Sequence, residues 1–167
     1  MALTTFSGPV DSTAGFKINA VSIDATAAEI NSAADVSGRH VDTGDVNTHV
    51  LLVADSGKLH TIPQVTGDIA ITLPTPAAGL EYRFALAATA AEGDSYVLTA
   101  TSDFVGGLAQ IDTDGSASAV VADGTSKNTC TVIDPLAGTT FTIICDGTNW
   151  LISGFVLSAT PPTFTDV

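Results

Sequence analysis

Thr140-Phe141-Thr142-Ile143-Ile144-Cys145-Asp146-Gly147-Thr148-Asn149-Trp150-Leu151-Ile152-Ser153-Gly154-Phe155 reads as two β-strands folded back on each other. Apolar side chains recur at every second position through Phe141, Ile143 and Cys145, the period that places them on one face of a pleated strand. Asp146-Gly147-Thr148-Asn149 supplies the reversal, since Asp and Asn satisfy turn backbone and Gly accepts left-handed conformations. Trp150 opens the return strand with Ile152 and Gly154 on its face and Leu151 and Phe155 on the other. Phe141, Ile143 and Cys145 are its natural cross-strand partners. As the only Trp of the chain it offers the largest single burial, so it is expected in the core rather than as a sugar-stacking platform.

The same alternation extends upstream. Val50-Leu51-Leu52-Val53-Ala54 and Lys58-Leu59-His60-Thr61-Ile62 flank Asp55-Ser56-Gly57, which predicts a hairpin with a three-residue loop. Asp68 to Leu73 alternates and stops at Pro74. Tyr82 to Ala87 and Tyr96 to Ala100 alternate as well, and the acidic, glycine-containing run between them is expected to close another hairpin. Short strands at this spacing predict a mainly β chain: an antiparallel sandwich, jelly roll or small barrel. Residues 1–45 read as an N-terminal arm, 46–157 as the β domain and 158–167 as an extended C-terminal tail, where Pro161-Pro162 rules out helix. The arm carries one helix signal near 27–34. Thr26-Ala27-Ala28-Glu29 matches a capping box, and Ile23, Ala27, Ile30 and Ala34 fall on one face. So short a helix is unstable alone in water and must lean on its own body, a sister subunit or a partner.

Composition narrows the function. The chain has 167 residues, enough to bury one real core. Charged residues make up only 14%, against about 25% in ordinary domains. The surface is therefore built largely from Thr, Ser, Ala, Asn and Gly, which suits a protein packed against copies of itself or a larger assembly. Five basic residues against 18 acidic ones leave a formal charge of −13. That balance argues against nucleic acid, whose phosphates need Lys and Arg, and equally against an anionic membrane surface. Most acidic residues are Asp in turn contexts such as Asp112-Thr113-Asp114-Gly115 and Asp123-Gly124, so the charge reads as turn chemistry rather than an acidic face. No apolar run approaches membrane-spanning length. The first residues lack the basic and apolar regions of a signal peptide, so synthesis in a cytoplasm is expected. Cys130 and Cys145 sit in strand-like runs and read as buried free thiols.

Chemistry-bearing motifs are missing from the sequence. His40, His49 and His60 show no ligand spacing, and His60 is expected at a strand surface or rim. No Ser stands in a nucleophile elbow, no glycine pattern resembles a phosphate loop, and Glu is scarce. Asp112-Thr113-Asp114-Gly115-Ser116 begins like a calcium loop but lacks the later ligands and the closing Glu, so it reads as a polar turn. The expectation is a non-enzymatic protein with no catalytic residue, no metal and no cofactor.

Three stretches carry a resemblance to virion proteins of tailed bacteriophages. Gly15-Phe16-Lys17-Ile18-Asn19-Ala20-Val21-Ser22-Ile23-Asp24-Ala25-Thr26-Ala27-Ala28-Glu29-Ile30-Asn31 resembles a recurring apolar strand followed by a helix start. Ile71 to Phe84 and Cys145 to Gly154 are similar to β modules of head fibres, capsid decoration proteins and tail fibres. The resemblance implies a capsid decoration (cement) protein, homotrimeric, bound on the capsid exterior to the outer surface of the major capsid protein lattice. It has a receptor- or glycan-binding fibre module as the alternative. The chain lacks the repetitive shaft of a full tail fibre. Within the arm, apolar residues are too widely spaced for a self-contained core. Phe6, Phe16 and Ile18 are therefore expected to contact the capsid, and Ile23, Ala27 and Ile30 to contact sister subunits.

Overall fold

The computed structural model describes residues 16–18, 21–23, 36–64, 66–90 and 93–166. The chain divides into two units, 1–36 and 37–167. In the first, strands β1 (Phe16–Ile18) and β2 (Val21–Ile23) pair antiparallel, with Phe16 opposite Ile23. The helix signal near 27–34 lies outside the described residues.

The second unit is mainly β, as the alternation predicts. Its strands are β3 (His40–Asp42), β4 (Thr48–Val50), β5 (Leu59–Ile62), β6 (Ile69–Thr72), β7 (Glu81–Leu86), β8 (Ser95–Thr99), β9 (Phe104–Ile111), β10 (Ala117–Asp123), β11 (Thr129–Ile133), β12 (Thr140–Cys145), β13 (Trp150–Leu157) and β14 (Thr163–Thr165). Seven form one sheet in the order β10-β9-β13-β12-β7-β5-β3, and five form another in the order β14-β11-β8-β6-β4. The first sheet strand lies within the expected arm and the last within the expected tail, so both sheets reach beyond 46–157.

The pairing is mixed rather than wholly antiparallel. Residues 40–99 coil between the sheets: odd-numbered strands β3, β5 and β7 join the larger sheet side by side in parallel, while β4, β6 and β8 do the same in the smaller one. Parallel neighbours need a long crossover, and here each crossover is a strand of the opposite sheet. This geometry replaces two expected hairpins. Asp55-Ser56-Gly57 does turn the chain, with Gly57 at φ +83°, but β4 and β5 on either side enter different sheets. Strands β7 and β8 separate in the same way. The hairpin read from Thr140 to Phe155 forms as expected, β12 against β13 with Cys145 opposite Trp150. Its turn is held by Asp146, whose carboxylate accepts the backbone N–H groups of Thr148 and Asn149, each at 2.7 Å. Those bonds lower the pKa of the Asp146 carboxyl.

The core lies between the sheets. Tyr82, Phe84, Phe141, Ile143, Trp150 and Ile152 of the larger sheet meet Ile69, Ile71, Tyr96, Leu98, Cys130 and Val132 of the smaller, all essentially buried. Phe84 stacks on Phe141 with ring centroids 4.9 Å apart, and Tyr82 lies 6.1 Å from Trp150. Both cysteines are free and buried, and burial raises the Cys130 pKa. A polar strut crosses the layers at one end. Gln110 Nε2 donates to the Ser158 carbonyl, and Ser158 Oγ donates to the Ile133 carbonyl.

Glycines permit close backbone approaches within the larger sheet, Gly106 on β9 and Gly154 on β13 among them. A Cβ at Gly106 (φ +106°) would collide with the Ile152 carbonyl oxygen of the neighbouring strand. A Cβ at Gly154 (φ +146°) would stand 2.5 Å from the Phe141 Cα. Two stability outcomes follow from this packing. Trp150→Ala is expected to cost about 3–5 kcal/mol through the cavity it leaves, read as a lower urea midpoint; wild-type emission should be blue-shifted and poorly quenched by acrylamide. Gly154→Ala, which removes nothing from the core, is expected to lower the melting temperature through backbone strain and clash. An unchanged melting temperature for Gly154→Ala would show that the close β12–β13 approach is dispensable.

Candidate functional site

Alternation along each strand decides what the larger sheet turns outward. Its core-facing positions are filled, so the opposite positions form the outer face. Across four adjacent strands these are Ala117, Ala119, Val121 and Asp123 of β10; Val105, Gly107, Ala109 and Ile111 of β9; Leu151, Ser153, Phe155 and Leu157 of β13; and Thr140, Thr142 and Ile144 of β12. Register places them in rows: Asp123–Val105–Leu151–Ile144, then Val121–Gly107–Ser153–Thr142, then Ala119–Ala109–Phe155–Thr140.

Asp123, at the far end of the border strand, is the one charged side chain in this set. In a chain of formal charge −13, so large an uncharged area is a distinctive feature. Five large apolar residues within it stay exposed: Val121 at 68%, Ile144 and Leu151 at 43%, Phe155 at 38% and Ile111 at 36%. Exposed apolar side chains gathered on one sheet face make it the candidate interaction surface of this chain. Many of the aspartates are engaged with turn backbone, Asp123 at the end of β10 among them. Asp42, Asp68, Asp103, Asp123 and Asp134 each accept a backbone N–H from a turn or an adjoining strand. The Asp112 and Asp114 carboxylates likewise accept the N–H groups of Thr113 and Ser116 within the β9–β10 turn.

At the border of the face a shallow depression of about 360 Å³ lies over β5, β7, β12 and β13, lined by Leu59, Arg83, Ala85, Thr140, Thr142 and Ser153 among others. Its one cation, Arg83, donates to the Gly57 carbonyl at 2.8 Å and approaches Glu81 at 3.9 Å. The depression holds no carboxylate pair, nucleophile–base pair or ligand cluster. Among the described residues no group of His, Cys, Asp or Glu has the arrangement of a metal site. No helix among the described residues is long and apolar enough to cross a membrane.

The interior holds one titratable cluster, and it corrects the expectation for His60. That residue is fully buried, because β5 lies between β3 and β7 and its alternation turns His60 and Ile62 inward. Its ring lies 5.7 Å from His49 on β4, 5.9 Å from Tyr82 and 5.4 Å from Phe84. Neither ring nitrogen meets a protein partner at hydrogen-bonding geometry. Burial first, then the neighbouring His49, lowers the His60 pKa to about 4, against a weaker opposing pull from Asp55; Lys58 adds slightly to the lowering. Asp55 is itself bound to Lys58 at 2.9 Å. The Tyr82 hydroxyl donates to the Leu52 carbonyl at 3.0 Å and fastens the 3-10 turn Val53–Asp55 over this cluster.

Of the residues expected to bind, Phe16 and Ile18 lie on β1 and Ile23 on β2. Phe6, Ala27 and Ile30 lie outside the described residues. The outer sheet face was not among the expected sites. Its signal is in the sequence: Ile143-Ile144 and Trp150-Leu151-Ile152 put apolar side chains on both strand faces, where a solvent-facing strand would alternate. No protein-family model, curated protein or solved structure matches the chain.

The buried cluster sets a pH dependence. The unfolded chain protonates His60 near 6.5 and the folded chain near 4, so between these values the unfolded state binds more protons. Stability is then full above about pH 6.5 and falls as pH drops toward 4, by roughly 3 kcal/mol from His60. The lowered pKa of His49 acts in the same direction. Urea midpoints across this range measure the slope. His60→Leu is expected to flatten it, and an undiminished slope in that variant would locate the acid sensitivity elsewhere.

Proposed function

We propose that this chain is a non-enzymatic structural protein of a tailed-bacteriophage particle. In this reading it is a decoration (cement) protein that binds the outer surface of the major capsid protein lattice and stabilises the head. The observation that carries it is the outer face of β10, β9, β13 and β12: largely apolar and almost free of charge on an otherwise strongly acidic chain. Such a face stabilises contact with a protein surface by removing apolar area from water, at about 25 cal/mol per Å², and it needs no ion pairs. Three stretches that resemble virion proteins supply the particle context, and two of them, Ile71 to Phe84 and Cys145 to Gly154, run through the two sheets.

The fibre-tip alternative would use exposed aromatic side chains to stack on sugars. Trp150, Tyr82 and Tyr96 are buried here, and Phe155 is the one aromatic among the large exposed apolar side chains described. That weighs toward lattice binding.

Co-sedimentation with phage heads tests the proposal. Wild-type protein is expected to pellet with heads and to raise their thermal stability. Leu151→Asp and Ile144→Asp place a charge on the face at partly exposed positions. They are expected to abolish pelleting while costing the fold no more than about 1 kcal/mol. Deleting residues 1–20 tests the arm separately and is expected to leave a folded body that binds poorly. Full occupancy of heads by the Leu151→Asp and Ile144→Asp proteins would refute a role for this face.

A further inference from the structure

The four edges of the seven-stranded and five-stranded sheets are not alike. Strands β3, β4 and β14 are each three residues long, and β14 follows directly on Pro161-Pro162. Short strands and prolines are the usual means of keeping an edge from pairing with another chain. Strand β10 has neither. It runs for seven residues, Ala117-Ser118-Ala119-Val120-Val121-Ala122-Asp123, without Pro, Gly, Lys, Arg or Glu. It pairs with β9 along its whole length in regular antiparallel register and with no other described strand. Its second edge therefore carries backbone N–H and C=O groups that pair with no other described strand, with β14 of the smaller sheet nearby, and its side chains are small or β-branched apart from Asp123. Five of its seven residues, including all four that point outward, are exposed.

From this contrast we propose that β10 is a self-pairing strand: two copies of the chain join β10 to β10, antiparallel, into one continuous fourteen-stranded sheet. The geometry specifies the register. For both copies to turn their apolar faces the same way, residues opposite each other must share a face, so the two-fold axis must pass through a residue position rather than between two. Centring it on Val120 uses the whole strand. Val120 then meets its own copy, Ala119 meets Val121, Ser118 meets Ala122 and Ala117 meets Asp123.

The strand is compatible with its own copy as occupant, because this register sets no two charges opposite each other. In this register the single charge of the strand, Asp123, faces Ala117, and the two Asp123 side chains stand about 20 Å apart along the strands. That exceeds the screening length of about 10 Å at 0.1 M salt. The charge of −13 carried by each copy still opposes association at longer range, so rising ionic strength should tighten the pair. The pairing would also join the two outer apolar faces edge to edge. It does not depend on what those faces bind, and it implies even-numbered assemblies where the resemblance implies three copies.

Sedimentation velocity of the full chain across a wide concentration range reads the stoichiometry. A monomer–dimer equilibrium that shifts toward dimer at high salt is expected. Val121→Lys changes an outward, 68% exposed side chain and puts a charge diagonal to its own copy across the junction. It should weaken the dimer by about tenfold or more with an unchanged melting temperature. Leu151→Asp, on the face but away from the edge, should leave the dimer intact. In an Ala119→Cys/Val121→Cys variant, mild oxidation should trap a covalent dimer, because the two new thiols lie opposite each other across the axis while Cys130 and Cys145 are buried. A strictly monomeric protein, a trimer, or a dimer broken by Leu151→Asp but not by Val121→Lys would overturn the proposal.

Discussion

Strand β13 is the member on which the larger sheet depends. It pairs antiparallel with β12 on one side and parallel with β9 on the other, so it alone connects the coiled part of the sheet to the β9–β10 hairpin. Its inward residues Trp150, Ile152 and Val156 are fully buried, which fixes its register through the hydrophobic term. A slip by one residue would exchange those side chains for Leu151, Ser153 and Phe155 and expose the Trp. The narrow approaches at Gly106 and Gly154 add a steric constraint to the same strand. With β13 seated, the face that it, β9, β10 and β12 turn outward follows without further instruction.

The two sides of that sheet serve different purposes. The inner side satisfies folding: aromatic rings in contact, buried thiols, and a histidine held neutral because the interior disfavours its cation. The outer side is apolar beyond any need of folding, since its residues gain little burial within the monomer. Charge has been segregated accordingly. Aspartates accept backbone N–H groups in the turns, where their carboxylates stabilise reversals, and the outer face carries Asp123 alone, at its border. In a chain so acidic, a surface spanning four adjacent strands with Asp123 as its one charge is the pattern on which the proposed assembly role rests. That physical pattern, more than any single residue, supports an assembly role.

The strand reading succeeds where contacts are local. Alternation in Thr140 to Phe155, with Asp146-Gly147 between the runs, specifies both the strands and their pairing, because a four-residue turn permits no other partner. The same alternation in Lys58 to Ile62 and Tyr82 to Ala87 marks strands correctly but is silent about neighbours. Side-chain period reports which face is buried and says nothing about whether the next strand lies beside the last or across the core. Hence the expected hairpins at Asp55-Ser56-Gly57 and after Ala87 became crossovers, and His60, expected at a rim, lies at the centre. Strands β9 and β10 carried a weak signal, since small residues such as Gly106, Gly107, Ala117 and Ala119 blur the alternation.

By itself, then, the amino-acid order determined the mainly β class, the positions of turns, the burial of Trp150, and the absence of any motif for nucleotide or nucleophilic chemistry. Each of these rests on local backbone preference or on the period of two along a single strand. Tertiary structure decided the rest: two mixed sheets, the parallel coil from residue 40 to 99, the burial of His60 beside His49, and the gathering of Ile111, Val121, Ile144, Leu151 and Phe155 onto one face with a single charge at its border. Those residues are far apart in sequence, and what joins them is register between strands. Register is set by long-range packing of the opposite face, a property no local pattern contains.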